Sequence, residues 1–208
     1  MANSSGGWGW WPTMSGLGGP YDAYSIYDSF TGTNATGVTD HTPDKDTEGG
    51  GYQDGIGSGE YTITSNQVYL ASGDAGYNTD WIDAGVADCT INCNIIIGTT
   101  VANGLIVRAS AGNDNLEVIL DAANDRVRLY SNTNGSRAEL KTTTSVSLDT
   151  TSTYAVKVVL SGTAVEIFID SVSKLTHTTS HNQTDTGVGF WQWDSSETGR
   201  WDNLSVEV

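Results

Sequence analysis

TYAVKVVLSGTAVEIFID, residues 153–170, decides the fold. Tyr154, Val156, Val158 and Leu160 recur at every second position, Gly162 breaks the run, and Val165, Ile167 and Ile169 resume it. Alternation of that period places one apolar face on each strand, and the Gly between the runs reads as a hairpin turn. Working outward, GVGFWQW at 187–193 alternates in the same way. The closing RWDNLSVEV reads as one more strand, entered through a polar corner at Asp202 and Asn203.

The rest of the chain agrees. Charged residues make up only 16% of its 208 residues, while Gly, Thr, Ser, Asn and Asp are abundant. Turn-forming residues between β-branched runs imply many short strands. No window sustains apolar residues at helical spacing. Further strands are expected at 60–64, 67–72, 80–84, 89–97, 104–110, 115–121, 126–131, 137–143, 173–178 and 203–208. The turns Ala111-Gly112-Asn113-Asp114, Ala123-Asn124-Asp125 and Asn132-Thr133-Asn134-Gly135 separate several of them. Near the front, Ile26, Asp28 and Phe30 alternate with Ser25, Tyr27 and Ser29, and the polar stretch 31–58 contains HTPDKDTEGGG, residues 41–51, which is expected to be loop. An all-β fold of two packed antiparallel sheets follows, formed by residues 23–208. A chain this long buries enough surface to need no disulfide staple.

Residues 1–22 differ. Trp8, Trp10 and Trp11 crowd into a Gly- and Ser-rich stretch with Pro12 and Pro20. Such a segment cannot build a core, yet a plain linker has little use for three indoles. The expectation is an irregular N-terminal arm, folded back on its own domain or docked on another subunit. Its start has neither a basic cluster nor a continuous apolar core, so no secretory signal is expected.

The formal net charge is −16, with nine Lys and Arg. Phosphate backbones and anionic membranes are repelled by such a surface, which argues against nucleic-acid binding and membrane insertion. Cys89 and Cys93 are the only cysteines. On an extended strand they lie about 13 Å apart, too far to bridge, so two buried thiols are expected.

TYAVKVVLSGTAVEIFIDSVSKL, TGVGFWQWDSS and RWDNLSVEV together resemble the closing signature of laminin-G-like, concanavalin A-like lectin/glucanase jelly rolls. Ser171 stands where such domains carry Gly, and Trp201 where they carry Phe. At the front, DSFTGTNATGVTDHTPD resembles modules of bacteriophage structural proteins, with Tyr52 where a Trp is common. The resemblance covers residues 24–208. It implies a jelly-roll sandwich and two kinds of role. One is an external virion component, a head-decoration or fibre protein held to other virion subunits or to itself by the arm and displayed on the virion surface. The other is a carbohydrate-binding module acting outside the cell on a cell-surface glycan. A glycoside hydrolase is a weaker alternative.

Each role needs particular residues. Glucanases of this fold class place three carboxylates on one strand facing the cleft, and two must flank the scissile bond. Here Glu117 shares a strand face with Asp121, and Glu166 with Asp170, but neither pair has a third acid. No enzyme activity and no catalytic residue are therefore expected. If Val188 and Phe190 point inward, Trp191 and Trp193 share the opposite face. Exposed indoles there, with Asp194 beside them, suit stacking on sugar rings. The alternative is that a loop or the arm covers them. The resemblance also implies one structural Ca²⁺ near the junction of the first and last strands, with Asp202 as ligand and Asp28 as neighbour. Otherwise Asp202 and Asn203 simply cap the corner. His41, His177 and His181 are expected to be surface imidazoles.

Overall fold

The structure, a computed structural model, describes residues 23–73, 75–99, 102–194 and 198–208. The indoles of the N-terminal arm (Trp8, Trp10, Trp11) lie outside the described residues. In chain order the strands are β1 (Tyr24–Asp28), β2 (Thr36–Gly37), β3 (Lys45–Asp46), β4 (Tyr52–Asp54), β5 (Glu60–Thr64) and β6 (Gln67–Ser72). Next come β7 (Ala75–Asp83), β8 (Thr90–Ile96), β9 (Ala102–Ala111), β10 (Asp114–Asp121), β11 (Arg126–Thr133) and β12 (Ser136–Thr143). The last five are β13 (Thr153–Ser161), β14 (Ala164–Ile169), β15 (Val172–Thr178), β16 (Gly187–Asp194) and β17 (Arg200–Glu207).

They form two antiparallel sheets. Ten strands run in the order β15-β14-β13-β8-β17-β6-β5-β2, with β1 beside β17 and β3 beside β1. Seven run in the order β12-β11-β10-β9-β16-β7-β4. This is the jelly-roll-like sandwich expected from the alternation. Tyr154, Val156, Val158, Leu160, Val165, Ile167 and Ile169 all lie buried in the shared core. The β14–β15 turn uses Asp170 and Ser171, both at positive φ, and Asp170 Oδ1 accepts from Ala155 N. An Asp side chain that bonds nearby backbone tolerates the left-handed region, which explains how the turn closes without the usual Gly.

Three features cross between the layers. Trp201 is fully buried, and its indole Nε1 donates to Gly104 O on the facing sheet at 2.8 Å. Phe190 packs against Phe30, Tyr52, Tyr61 and Trp201, with ring centroids 5.5–5.8 Å apart. Arg108, left-handed beside a bulge in the β9–β16 pairing, sends Nη2 to Gly162 O at 2.7 Å, at the β13–β14 turn.

Two expectations need correction. The stretch 41–51 is not all loop: Lys45–Asp46 pairs with β1, and just beyond it Tyr52–Asp54 adds an edge to the seven-stranded sheet. These strands are too short to show a period in sequence. The corner at Asp202-Asn203 is not an entry to the last strand. That strand begins at Arg200, and the corner is a bulge within it, with Asn203 at positive φ. Cys89 and Cys93 are both buried and free, as expected. Burial pushes both thiols up, Cys89 to about 11.

Candidate functional site

Strand alternation gives the seven-stranded sheet an outward face. On β10, Leu116, Val118 and Leu120 enter the core, so Glu117, Ile119 and Asp121 turn the other way. On β16, Val188 and Phe190 enter the core, which places Trp191 and Trp193 outward as the sequence implied. The same logic brings out Ile106 on β9, Arg128 and Tyr130 on β11, and Tyr77 and Trp81 on β7. Ala102, Ile106, Ala109, Ile119 and Trp191 form a second apolar cluster here, flanked by Tyr77, Trp81 and Tyr130.

The two indoles differ. Trp193 is 45% exposed, but Trp191 is only 2% exposed. Trp191 is therefore not the open stacking surface expected from sequence. Its register partner on β9 is Gly104, which has no side chain, so the indole lies down among Ala102 and Ile106. Among the described residues its Nε1 has no hydrogen-bond partner. Asp194, at the end of the strand, is half-buried, and its backbone O accepts from Gln192 Nε2.

Arg137 organises the face. Its guanidinium carbon lies 4.7 Å from the centroid of Tyr130, 5.2 Å from Trp191, 5.4 Å from Trp193 and 5.7 Å from Tyr77. Rings at that distance attract a cation through their quadrupoles. Nε and Nη2 of Arg137 both reach the fully buried Glu117, Nε at 2.8 Å from Oε2, and Asn132 Nδ2 donates to Glu117 Oε1 at 3.0 Å. Planar bidentate pairing of this kind fixes orientation as well as charge. Removing only Arg137 would leave a buried carboxylate unpaired, a loss of about 3–5 kcal/mol for such pairs. Tyr77 donates to Gly112 O, and burial with the nearby Glu117 charge pushes its phenol well up. Arg128 stacks 4.7 Å from Tyr130 on the side of Glu139, whose Oε2 accepts from Arg128 Nε and Tyr130 Oη. Arg126 Nη2 binds Asp121 Oδ2 at 2.8 Å.

The sequence pairing of Glu117 with Asp121 on one face is correct, but each carboxylate is held by arginine. The pairing of Glu166 with Asp170 leads elsewhere: Glu166 accepts from Ser173 Oγ and Asp170 shapes a turn. Arg137, Arg128, Tyr77 and Tyr130 were not singled out from sequence. Their signal was present in the alternation Arg128-x-Tyr130-x-Asn132 and Arg137-x-Glu139. Only the strand order, which brings β12 and β16 to one patch, makes it readable.

Elsewhere, Asp28 is fully buried. Its Oδ1 accepts from Phe30 N at 2.8 Å and lies 3.0 Å from His41 Nε2. Burial pushes its carboxyl up, against the opposing pull of His41. His41 is thus a partly buried partner rather than a surface imidazole, and His181 likewise meets Asn115 O and Asn132 O. Asp202 is half-buried, in register with Asn94, and burial raises its carboxyl too. Among the described residues, no group of three or more His, Cys, Asp or Glu stands close enough to hold a metal ion. A pocket of about 320 Å³ at the sandwich rim is lined by Asp54, Glu60, Asp80 and the glycines of the 55–59 loop. Asp80 accepts from Gly55 N, and burial pushes its carboxyl to about 7. This pocket lacks the clustered rings of the outward sheet face.

No family model matches the chain. No curated protein sequence matches it either. Solved structures do resemble it. The carbohydrate binding module CBM66 from Bacillus subtilis superposes with a TM-score of 0.61 at 18% identity, covering 76% of this chain and 95% of that one. A protein of unknown function with a galectin-like fold, also from Bacillus subtilis, gives 0.59 at 12% identity, covering 88% and 98%. The carbohydrate recognition domain of Emp46p, in its metal-free form, gives 0.54 at 10% identity, covering 84% and 95%. The chain therefore has the fold of galectin-like and carbohydrate-binding sandwiches.

Proposed function

We propose that the chain is a non-enzymatic carbohydrate-binding domain that takes a glycan on the outward face of the seven-stranded sheet, at Trp193. The observation that carries this is a half-exposed indole set against a fixed cation. Trp193 is the only exposed aromatic ring among the described residues, and it adjoins the Arg137 guanidinium. An apolar ring flanked by directed donors is what a sugar needs, with stacking for its C–H face and hydrogen bonds for its hydroxyls. Two structural neighbours, the carbohydrate binding module CBM66 and the Emp46p carbohydrate recognition domain, support this reading at the level of fold. Catalysis has no comparable support, because Glu117 and Asp121 are neutralised by Arg137 and Arg126.

The reading as a displayed virion component has its weight in residues 1–22, outside the described residues, and in the front-loop resemblance. A glycan-binding domain is compatible with such display but does not require it. Calcium at Asp202 and Asp28 is a separate proposal. It is supported by one buried acceptor, Asp28 Oδ2, that accepts no close hydrogen bond among the described residues, and opposed by the His41 bond on Oδ1 and the nearby Tyr52 hydroxyl.

The test is a glycan array probed with the full chain, with Trp193→Ala beside it. Retention of a defined group of oligosaccharides by the native chain and its loss in the variant is expected. A blank array, or identical retention by the variant, removes the proposal.

A further inference from the structure

The outward face has an electrostatic polarity that its formal charge hides. Two of the carboxylates paired on β10, β11 and β12 lie below their arginines, while the third, Glu139, is 35% exposed beside Arg128 at 26%. Glu117 is 0% exposed while Arg137 above it is 23% exposed. Asp121 is 3% exposed while Arg126 and Arg128 are 29% and 26% exposed. Glu117 and Asp121 form the floor beneath Arg137, Arg126 and Arg128, so these pairs are dipoles with their positive ends toward solvent, and Glu139 is the one carboxylate of the hairpin's ion pairs at the rim.

The free donors point the same way. Arg137 uses Nε and Nη2 on Glu117, which leaves Nη1 without a hydrogen bond among the described residues. Arg128 uses Nε and Nη2 on Glu139, leaving Nη1 at 3.8 Å from Asp121. Four of the nine basic residues of this −16 chain, Arg126, Arg128, Arg137 and Lys141, belong to the β11–β12 hairpin. Screening decides whether local or global charge governs a ligand seated here. At physiological salt the screening length is about 8 Å, so an anion touching Arg137 feels the adjacent guanidinium groups far more than carboxylates across the molecule. Unused guanidinium N–H groups in a planar fork match carboxylate or sulfate oxygens better than neutral hydroxyls.

We infer that this face selects glycans bearing an anionic group, a uronate carboxylate or a sulfate ester, seated over Arg137 with the sugar ring on Trp193. This rests on the carbohydrate-binding reading above. A neutral ring could use Trp193 alone, and the anionic group would add the rim donors.

The experiment titrates the full chain with neutral, carboxylated and sulfated oligosaccharides of one backbone and length, and with inorganic sulfate. Charged ligands are expected to bind at least tenfold more tightly than the neutral one, and sulfate alone far more weakly than the sulfated sugar. The Glu117→Gln/Arg137→Gln double variant removes both charges together, so that no buried carboxylate is stranded. It should lose the preference for charge and weaken neutral binding less than charged binding, while the rim variant Arg128→Gln should reduce the preference and keep the neutral affinity. Equal affinity for neutral and charged sugars overturns the selectivity but leaves the carbohydrate reading intact. Unchanged preference in both variants also overturns it, as does sulfate binding as tightly as the sulfated sugar. If no oligosaccharide of either kind binds the folded chain, the carbohydrate reading fails and this inference fails with it.

Discussion

The two faces of the seven-stranded sheet are cut from the same strands, yet they solve opposite problems. Inward, Leu105, Val107, Leu116, Val118, Leu120, Val188 and Phe190 meet the second sheet, and every large side chain there has a packed partner. Outward, the alternate residues of the same strands have no second sheet over them among the described residues. Ile106, Ile119 and Trp191 are nonetheless buried, because Tyr77, Trp81 and Tyr130 pack over them and Arg137 lies above Trp191. The outward face is thus a thin layer held by rings and paired charges, and it leaves one indole, Trp193, half in solvent. A sheet face that needs only to be soluble has no cause to bury a carboxylate and roof it with arginine and aromatic rings. That excess of order supports the proposal that this surface is prepared for contact.

The comparison can be broken most violently on the inner face. Trp201→Ala empties a buried indole volume and strands Gly104 O, and large-to-small changes of that type cost about 3–5 kcal/mol. Urea unfolding should show a loss of that size, or failure to fold. A loss below about 1 kcal/mol would mean that the core is not organised around the indole.

Next comes the outer ion pair. Arg137→Gln alone should destabilise by about 3 kcal/mol by leaving Glu117 buried and unpaired, whereas adding Glu117→Gln should recover most of that loss. Denaturant midpoints of the two single variants and the double variant measure the coupling. Additive effects would show that Arg137 and Glu117 do not act as a pair.

A smaller effect is expected at the rim pocket and depends on pH. The Asp80 carboxyl is raised by burial to about 7 in the folded chain, above its ordinary value of 3.8. Between those values the folded state keeps a proton that the unfolded state has lost, so this group lowers stability as pH rises from about 4 to about 7. Asp80→Asn, which keeps an acceptor for Gly55 N, should therefore stabilise the chain at pH 8 by on the order of 2 kcal/mol and do little at pH 4. Melting curves at the two pH values check it, and equal shifts at both would contradict the assignment. Smaller still is the effect expected of chelation. If Ca²⁺ is held at Asp28 and Asp202, EDTA should lower the melting temperature, and an unchanged melt would count against that proposal and leave Asp28 to its bonds with His41 and Phe30 N.

The inner face was legible in the sequence because period-two alternation records it directly. The run from Tyr154 to Ile169 placed the β13–β14 hairpin, and GVGFWQW predicted the outward side of both indoles. The sequence gives no distance between strands that are far apart in the chain. Glu117, Arg137 and Trp191 are separated by up to 74 positions, and only the order β12-β11-β10-β9-β16 draws them together. Burial of Trp191 depended on the same fact, since the glycine beside it on β9 could not be known before the register. The two-residue strands at Thr36–Gly37 and Lys45–Asp46 were illegible for a different reason: a period cannot be read from two positions.

The claim that the outer face is built for contact rests on Trp193, and one paired measurement tests it. The full chain and Trp193→Ala should be compared by thermal melting and by calorimetric titration with whichever oligosaccharide the native chain retains best. A half-exposed ring contributes little to packing, so the melting temperature should be nearly unchanged, while affinity should fall at least tenfold, about 1.4 kcal/mol. Undiminished affinity in a folded variant would contradict the account and move the binding surface away from this sheet face.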